Sequence, residues 1–158
     1  MHPGELCAAF DAAHRGLWEP HPEPTTFSIR VIEKTLSVAL PQQLIDLARS
    51  STKYSDVFLS IGPDFESPDH IIPYNDMRHR DEGRRQLPKN LAIFTNGFME
   101  EDYFCLEAGR GADGHALGSV WFWSPPPVGY DDEVTCECMY GSFEKYLEAH
   151  LTWRTRDA

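Results

Sequence analysis

Two short acidic runs are the residues whose types and spacing could most directly do chemistry. Neighbouring carboxylates can bind a divalent cation, act as an acid–base pair or attract a basic partner. The glycine and terminal glutamate of an EF-hand loop are missing, so that kind of calcium site is not indicated. The alternative is that these are solvated loop charges. The runs, with the tyrosine before the second, are Glu100, Glu101, Asp102, Tyr130, Asp131, Asp132 and Glu133.

The four cysteines suggest metal binding or redox exchange as a second chemistry. Only Cys136 and Cys138 are close in sequence, and zinc-binding pairs usually have about two to four intervening residues. On a strand both would point to one face, together with Val134 and Tyr140. Because that face is apolar, the pattern favours thiols packed in the core. A zinc-dependent binder that uses Cys136, Cys138 and a histidine is the open alternative.

Patterns typical of enzymes are weak in this sequence. The segment GRGADG (109–114) matches the dinucleotide-binding GxGxxG, but LGSVWFW follows it where that motif needs a helix N-terminus. We therefore interpret it as a loop between antiparallel strands. The sequence contains neither a GxSxG nucleophile elbow nor an HExxH zinc motif. It thus predicts a protein with no catalytic residues, no bound metal and no cofactor.

Size and charge limit the class of protein. A chain of 158 residues, 41% hydrophobic and 25% charged, is predicted to be one globular domain. Its net charge is −11, of which −8 lies in residues 91–158. That half would repel nucleic-acid phosphates and anionic membranes and attract a basic protein. Because the N-terminus lacks a secretory signal pattern and no run reaches ~18 apolar residues, the expected location is the cytoplasm.

One basic cluster, at residues 78–89, stands against this acidity. It could bind an anion, but such a run is more typical of a solvated helix face with internal ion pairs. We expect the solvated face. The cations are Arg78, Arg80, Arg84, Arg85 and Lys89, and Asp81 and Glu82 lie among them.

Hydrophobic periodicity predicts the elements that position these residues. A helix is predicted over 3–17, a proline-rich linker follows, and another helix begins at Pro41, whereas 28–38 fits a strand or a helix. A final helix is predicted after the N-cap Ser142. Short strands are predicted at 57–61, 70–74, 103–107, 117–123 and 134–140. This order indicates an α+β domain around a mainly antiparallel sheet of about five to six strands, flanked by N-terminal helices and a C-terminal helix.

Two tryptophans, Trp121 and Trp123, lie on one face of the predicted strand 117–123. Core packing is the favoured interpretation for both. If one face of the sheet is open, they become candidates for partner binding, since interface hot spots are enriched in tryptophan.

The order of several short motifs resembles one known family. A Leu-Pro leads to an Asn-Gly, an acidic turn precedes an aromatic strand, a Gly-x-Val-x-x-Trp strand follows, and a Ser-Phe helix ends the pattern. The positions are Leu87, Pro88, Asn96, Gly97, Asp102, Tyr103, Leu106, Glu107, Gly118, Val120, Trp123, Ser142, Phe143 and Leu147. With IEKTLSVALPQQLIDLA (32–48), which is similar to the family's opening, they resemble the SUKH superfamily (the Smi/Knr family). This resemblance favours a helix for 28–38.

The resemblance implies a single SUKH-like domain over 1–158, with 1–25 as an N-terminal helical extension and linker and 26–151 as the core. It also implies a non-catalytic protein-binding role. Many bacterial members look like immunity proteins that bind and neutralise secreted nuclease or deaminase-like toxins, and others act as regulatory scaffolds. We expect a toxin-binding immunity protein, monomeric or homodimeric, whose acidic runs and Tyr130 contact a basic groove. A scaffold for an endogenous protein is the alternative, and a metal-binding protein or enzyme is a third.

Overall fold

The computed structural model describes residues 5–8, 21–50, 57–80, 86–95, 102–107, 119–125 and 135–156. Residues 5–8 are helical. The α+β class is confirmed, but the described residues form a sheet of four strands, so the expected five to six is wrong. The named elements are α1 (Thr26–Leu36), α2 (Gln42–Ser50), α3 (Ile71–Arg80), β1 (Leu91–Ile93), β2 (Tyr103–Glu107), β3 (Val120–Ser124), β4 (Thr135–Tyr140) and α4 (Phe143–Arg156).

Most of the ambiguous segment 28–38 lies in helix α1, which ends at Leu36 and whose N-terminus is capped by a reciprocal pair. The Ser28 backbone N–H donates to Thr25 Oγ1 at 2.9 Å, and the Thr25 N–H donates to Ser28 Oγ at 2.9 Å. This capping box satisfies two of the amide groups that a helix start leaves without partners. Ile32 is fully buried, whereas Phe27 is exposed, so the helical stripe rather than the strand alternation describes this segment.

The sheet is a meander in the order β1-β2-β3-β4, with every neighbouring pair antiparallel. Tyr103 pairs with Trp123, and Ser124 pairs with Thr135. These pairings place the start of β2, the end of β3 and the start of β4 at one end of the sheet. The strands predicted within 103–107, 117–123 and 134–140 therefore form β2, β3 and β4.

Two predicted strands are not strands of this sheet. Within 57–61 the chain makes only two isolated bridges, from Phe58 to Thr95 and from Ser60 to His70. Residues 71–74 begin helix α3 instead. Pro73 lies in the first turn of this helix, where a missing N–H costs no intrahelical hydrogen bond. An apolar run with a proline fits either a short edge strand or a helix start, and the tertiary contacts decide.

Both faces of the sheet are packed against helices. On one face, the ring of Phe104 lies 5.0 Å from that of Tyr146 of α4, and Leu147 is fully buried. On the other face, Tyr103 lies 6.2 Å from Tyr74 of α3. Within the described ranges, no helix is both long and apolar enough to cross a membrane.

The outer edge of β1 is covered by a side chain of α3. Asn75 Nδ2 donates to the Ile93 carbonyl at 2.8 Å, and the Ile93 N–H donates to Asn75 Oδ1 at 2.6 Å. The same amide donates to the Ile71 carbonyl at 2.7 Å. A single buried amide thus replaces a neighbouring strand for Ile93 and joins the helix to the sheet.

Candidate binding surface

The sheet end where β2 and β4 begin and β3 ends carries the described part of the acidic runs. Asp102 immediately precedes β2 and is exposed. Ser124 Oγ, at the end of β3, donates to Asp102 Oδ1 at 2.5 Å. This hydrogen bond holds the carboxylate against the neighbouring strand and leaves it accessible from solvent.

The other members of the acidic runs lie outside the described residues: Glu100, Glu101, Tyr130, Asp131, Asp132 and Glu133. Their attachment points are nevertheless described. Glu101 is bonded to Asp102, and Glu133 precedes Thr135 by two residues. Because Asp102 and Thr135 lie at the same end of the sheet, both runs are attached to the fold there. We call this strand end, with the two runs attached to it, the acidic end of the sheet.

The two tryptophans share a face of β3 but differ in burial. Trp123 is 1% exposed, and its ring stacks on Tyr103 with centroids 5.5 Å apart and planes 29° apart. It belongs to the core, as the core-packing interpretation expected. Trp121 lies opposite Cys105 and Cys138 and is only half-buried. Of this pair, only Trp121 keeps an accessible part on that face of the sheet.

The expectation that Cys136 and Cys138 pack in the core is wrong. Cys136 is exposed and Cys138 is half-buried, whereas Cys7 and Cys105 are buried. β4 is an edge strand of the sheet, and its ring contact with helix α4, between Tyr140 and Tyr146, lies on the opposite face. A bulge at Met139 also turns Tyr140 to the opposite face, where its ring lies 6.2 Å from Phe104. Cys136, Cys138 and Tyr140 therefore do not share one apolar surface.

The thiols of Cys7, Cys105 and Cys136 are not activated by their surroundings. Burial raises the pKa of Cys7 to about 11, with a smaller contribution from Asp46. Burial also raises the pKa of Cys105 well above that of an ordinary thiol, and partial desolvation raises the pKa of Cys136. The protonated thiol is a poor nucleophile and a poor metal ligand. Across the described parts of the chain, no group of three or more His, Cys, Asp or Glu side chains is arranged to hold a metal ion.

Arg78 is a buried cation that the sequence pattern missed. Its guanidinium lies 5.0 Å from the ring centroid of Tyr103 and 5.5 Å from that of Tyr74, and it donates to the Tyr103 hydroxyl. The prediction of a solvated helix face is therefore wrong for this residue. It fits Arg80, which forms a surface ion pair with Asp76, and Lys89, which is exposed. Arg84, Arg85 and the loop 109–114 lie outside the described residues.

His70 links the loop before α3 to the helix itself. It is fully buried, its Nδ1 accepts the Ile72 N–H at 3.1 Å, and its Nε2 donates to the Gly62 carbonyl at 2.8 Å. The ring is thus a neutral N-cap for α3 with its proton on Nε2. In the same loop, Ser60 Oγ donates to Asp64 Oδ1 at 2.6 Å. These hydrogen bonds fix the conformation of the loop, and no feature of the sequence pattern predicted them.

Acidification should weaken the fold through His70. Burial lowers the pKa of His70 below 6.5, and His21 lowers it further, against opposing contributions from the Gly62 carbonyl and Asp64. Between the folded-state pKa and 6.5, unfolding takes up a proton, so the free energy of unfolding should fall as the pH falls through this window. Denaturant titrations at a series of pH values measure this slope.

His70→Asn is the variant for this test, because asparagine can still accept the Ile72 N–H as an N-cap. It should lower the stability at neutral pH and flatten the pH slope. His79→Asn, on the same helix, controls for the loss of one histidine. An unchanged slope in His70→Asn would contradict the prediction.

The comparisons with known proteins agree with the fold. The model of the SMI1 / KNR4 family (SUKH-1) matches residues 24–149, so the chain belongs to this family. A crystal structure of a protein from Pseudomonas syringae pv. tomato is similar, with a TM-score of 0.53 and 18% sequence identity over 84% of this chain and 89% of that chain. At this identity the likeness concerns the fold alone. A search of curated proteins finds no match.

Proposed function

We propose that this protein is a non-catalytic immunity protein that binds a cognate secreted toxin and neutralises it. The toxin is of the nuclease or deaminase-like class, and its basic substrate groove is the surface recognised. One observation carries the proposal: both acidic runs are attached to the same end of the sheet, next to the exposed carboxylate of Asp102. Membership of the SUKH-1 family supports a binding role.

Electrostatics explains why this arrangement suits such a partner. A cluster of like charges on one side of a protein focuses its field and steers an oppositely charged partner toward it. Steering of this kind raises association rates by ~10–1000-fold at low salt. A groove that binds phosphates can accept carboxylates in their place, since both are anions that arginine and lysine recognise.

Neutralisation is tested by co-expression in the bacterial cytoplasm, the location we propose for this protein. Proteins retained by this chain from its native host are identified, and each candidate toxin domain is expressed with and without it. A domain that is lethal alone and harmless together with this chain supports the proposal. If the retained protein is a housekeeping component and no toxin is neutralised, a regulatory scaffold for an endogenous protein becomes the better description of this chain. Stoichiometric zinc in the purified protein would instead favour the metal-binding alternative.

Neutralising part of the acidic end should slow toxin association. We expect Asp131→Asn with Asp132→Asn to lower the association rate about threefold or more at low salt and to reduce its dependence on salt concentration. Stopped-flow or surface-based kinetics at several ionic strengths measure both quantities. The dissociation rate should change less, because rim charges act mainly on encounter.

The control keeps the same change in net charge but places it elsewhere. Asp46 on α2 and Glu148 on α4 are both exposed, and neither adjoins the acidic end in sequence. Asp46→Asn with Glu148→Gln should leave most of the association rate intact. Equal rates for the two double variants would remove the acidic end from the recognition account.

A further inference from the structure

A second accessible surface lies at the start of α1. Phe27 is 68% exposed, the largest exposure among the large hydrophobic side chains of the described residues. Its ring meets the half-buried Phe65 edge to face, with centroids 6.4 Å apart and planes 87° apart. Burying an exposed phenylalanine against a partner removes a large apolar area from water, so this pair could contribute strongly to binding.

Hydrogen bonds and close packing fix the backbone that carries this aromatic pair. The capping box fixes the first turn of α1, and Ser28 Oγ donates to the Ile61 carbonyl at 3.0 Å. A Cβ added at Gly62 would lie 2.6 Å from the Pro22 carbonyl oxygen, which shows how closely the two segments pack. The ring of Phe65 lies 5.1 Å from that of the buried His70. Because these contacts already fix the backbone that carries both rings, binding loses less conformational entropy, which favours affinity.

Carboxylates flank both members of the aromatic pair in the sequence. Glu23, Glu66 and Asp69 are exposed, and Asp64 is half-buried. Arg30, three residues after Phe27 on α1, is also exposed and offsets one of these charges. We call the region formed by Phe27, Phe65, Glu23, Glu66 and Asp69 the Phe27 surface. An exposed aromatic side chain with acidic neighbours is complementary to an apolar recess in a basic protein surface.

We propose that the Phe27 surface is a second docking surface for the basic toxin, with Phe27 as its anchoring side chain. This inference rests on the proposed function for the identity of the partner. The charge disfavours the other simple occupants on physical grounds. A second copy of this chain would bring together two sets of these carboxylates, on chains that each carry a net charge of −11. Nucleic acid and anionic lipid would be repelled by the same carboxylates.

The two surfaces should act on different rate constants. Truncating an aromatic anchor removes short-range contacts made only in the complex, so Phe27→Ala should raise the dissociation constant about tenfold or more, chiefly through faster dissociation. Phe27 is largely exposed in the free protein, so the variant should keep the wild-type unfolding midpoint. Met139→Ala is the matched control, because Met139 is 45% exposed on β4.

Site-specific photocrosslinking in the native host identifies the occupant directly. The photoreactive amino acid p-benzoylphenylalanine replaces Phe27 in one variant and Met139 in another, and the adducts are identified by mass spectrometry. A basic protein captured at position 27 and not at 139, together with the weaker binding of Phe27→Ala, supports the inference.

The outcomes separate this inference from the proposed function. If the chain neutralises a toxin while Phe27→Ala binds it as tightly as wild type, the Phe27 surface is overturned and the immunity role stands. If no toxin is neutralised, the proposed function fails, and a different basic protein captured at position 27 keeps the docking surface only where Phe27→Ala also weakens the binding of that protein. An acidic or neutral protein at position 27, or no adduct there, overturns the docking surface.

Discussion

Trp123→Ala should lower the free energy of unfolding by about 3–5 kcal/mol, the range typical of a large aromatic side chain removed from a packed core. The indole is 1% exposed and stacks on Tyr103, so its removal leaves a cavity beneath the sheet. Tyr103 also loses its stacking partner, and its ring contacts the guanidinium of Arg78. Denaturant unfolding followed by circular dichroism measures the loss.

Trp121→Ala is the matched control, since both indoles lie on one strand and one face. Trp121 is only half-buried, so its truncation should cost clearly less, about 1–2 kcal/mol. If Trp123→Ala does not fold, Trp123→Phe keeps a ring at the stacking position and should show an intermediate loss. Equal losses for Trp121→Ala and Trp123→Ala would show that the burial difference described above is wrong.

Asn75→Ala should lower the free energy of unfolding by about 2–6 kcal/mol, because it leaves both backbone groups of Ile93 buried without their partner. Each buried polar group left in this way costs about 1–3 kcal/mol. The effect should also be local. The Ile93 amide should exchange with deuterium much faster than in the wild type, since its N–H donates to Asn75 Oδ1.

Asp76→Ala is the control for Asn75→Ala. The two residues are adjacent on α3, but Asp76 is exposed and forms a surface ion pair with Arg80. Surface pairs contribute about 0–1 kcal/mol, so this variant should stay close to the wild type in stability. A loss in Asn75→Ala no larger than in Asp76→Ala would mean that the amide does not close the sheet edge as described.

Much of the fold was predictable because several segments have a clear period. Residues 134–140 alternate as a strand does, and the segments that became α2 and α4 carry apolar stripes at helical spacing. The strand predicted at 70–74 is wrong, because five residues are too few to distinguish a strand from the start of a helix. There, the N-cap made by His70 and the position of Pro73 in the first turn favour the helix.

Burial of polar residues could not be predicted, since it depends on which elements meet. Asn75 and Arg78 are one turn apart on α3, and nothing in their sequence context distinguishes them from the exposed Asp76. They are buried because that side of α3 packs against β1 and β2. Cys136 shows the converse, because the alternation of its segment does not reveal that this side of the edge strand β4 lies outside the core.

The sequence by itself determined the α+β class, the net charge of −11, the two acidic runs and the resemblance to the SUKH family that the family model confirms. These properties depend on composition and local order, which a linear pattern contains. Only the tertiary structure decided that both runs are attached to one end of the sheet, that Trp123 is buried while Trp121 is accessible, and that Phe27 meets Phe65 at the surface. Each of these depends on strand register or on the packing of segments far apart in the chain, which no local pattern encodes.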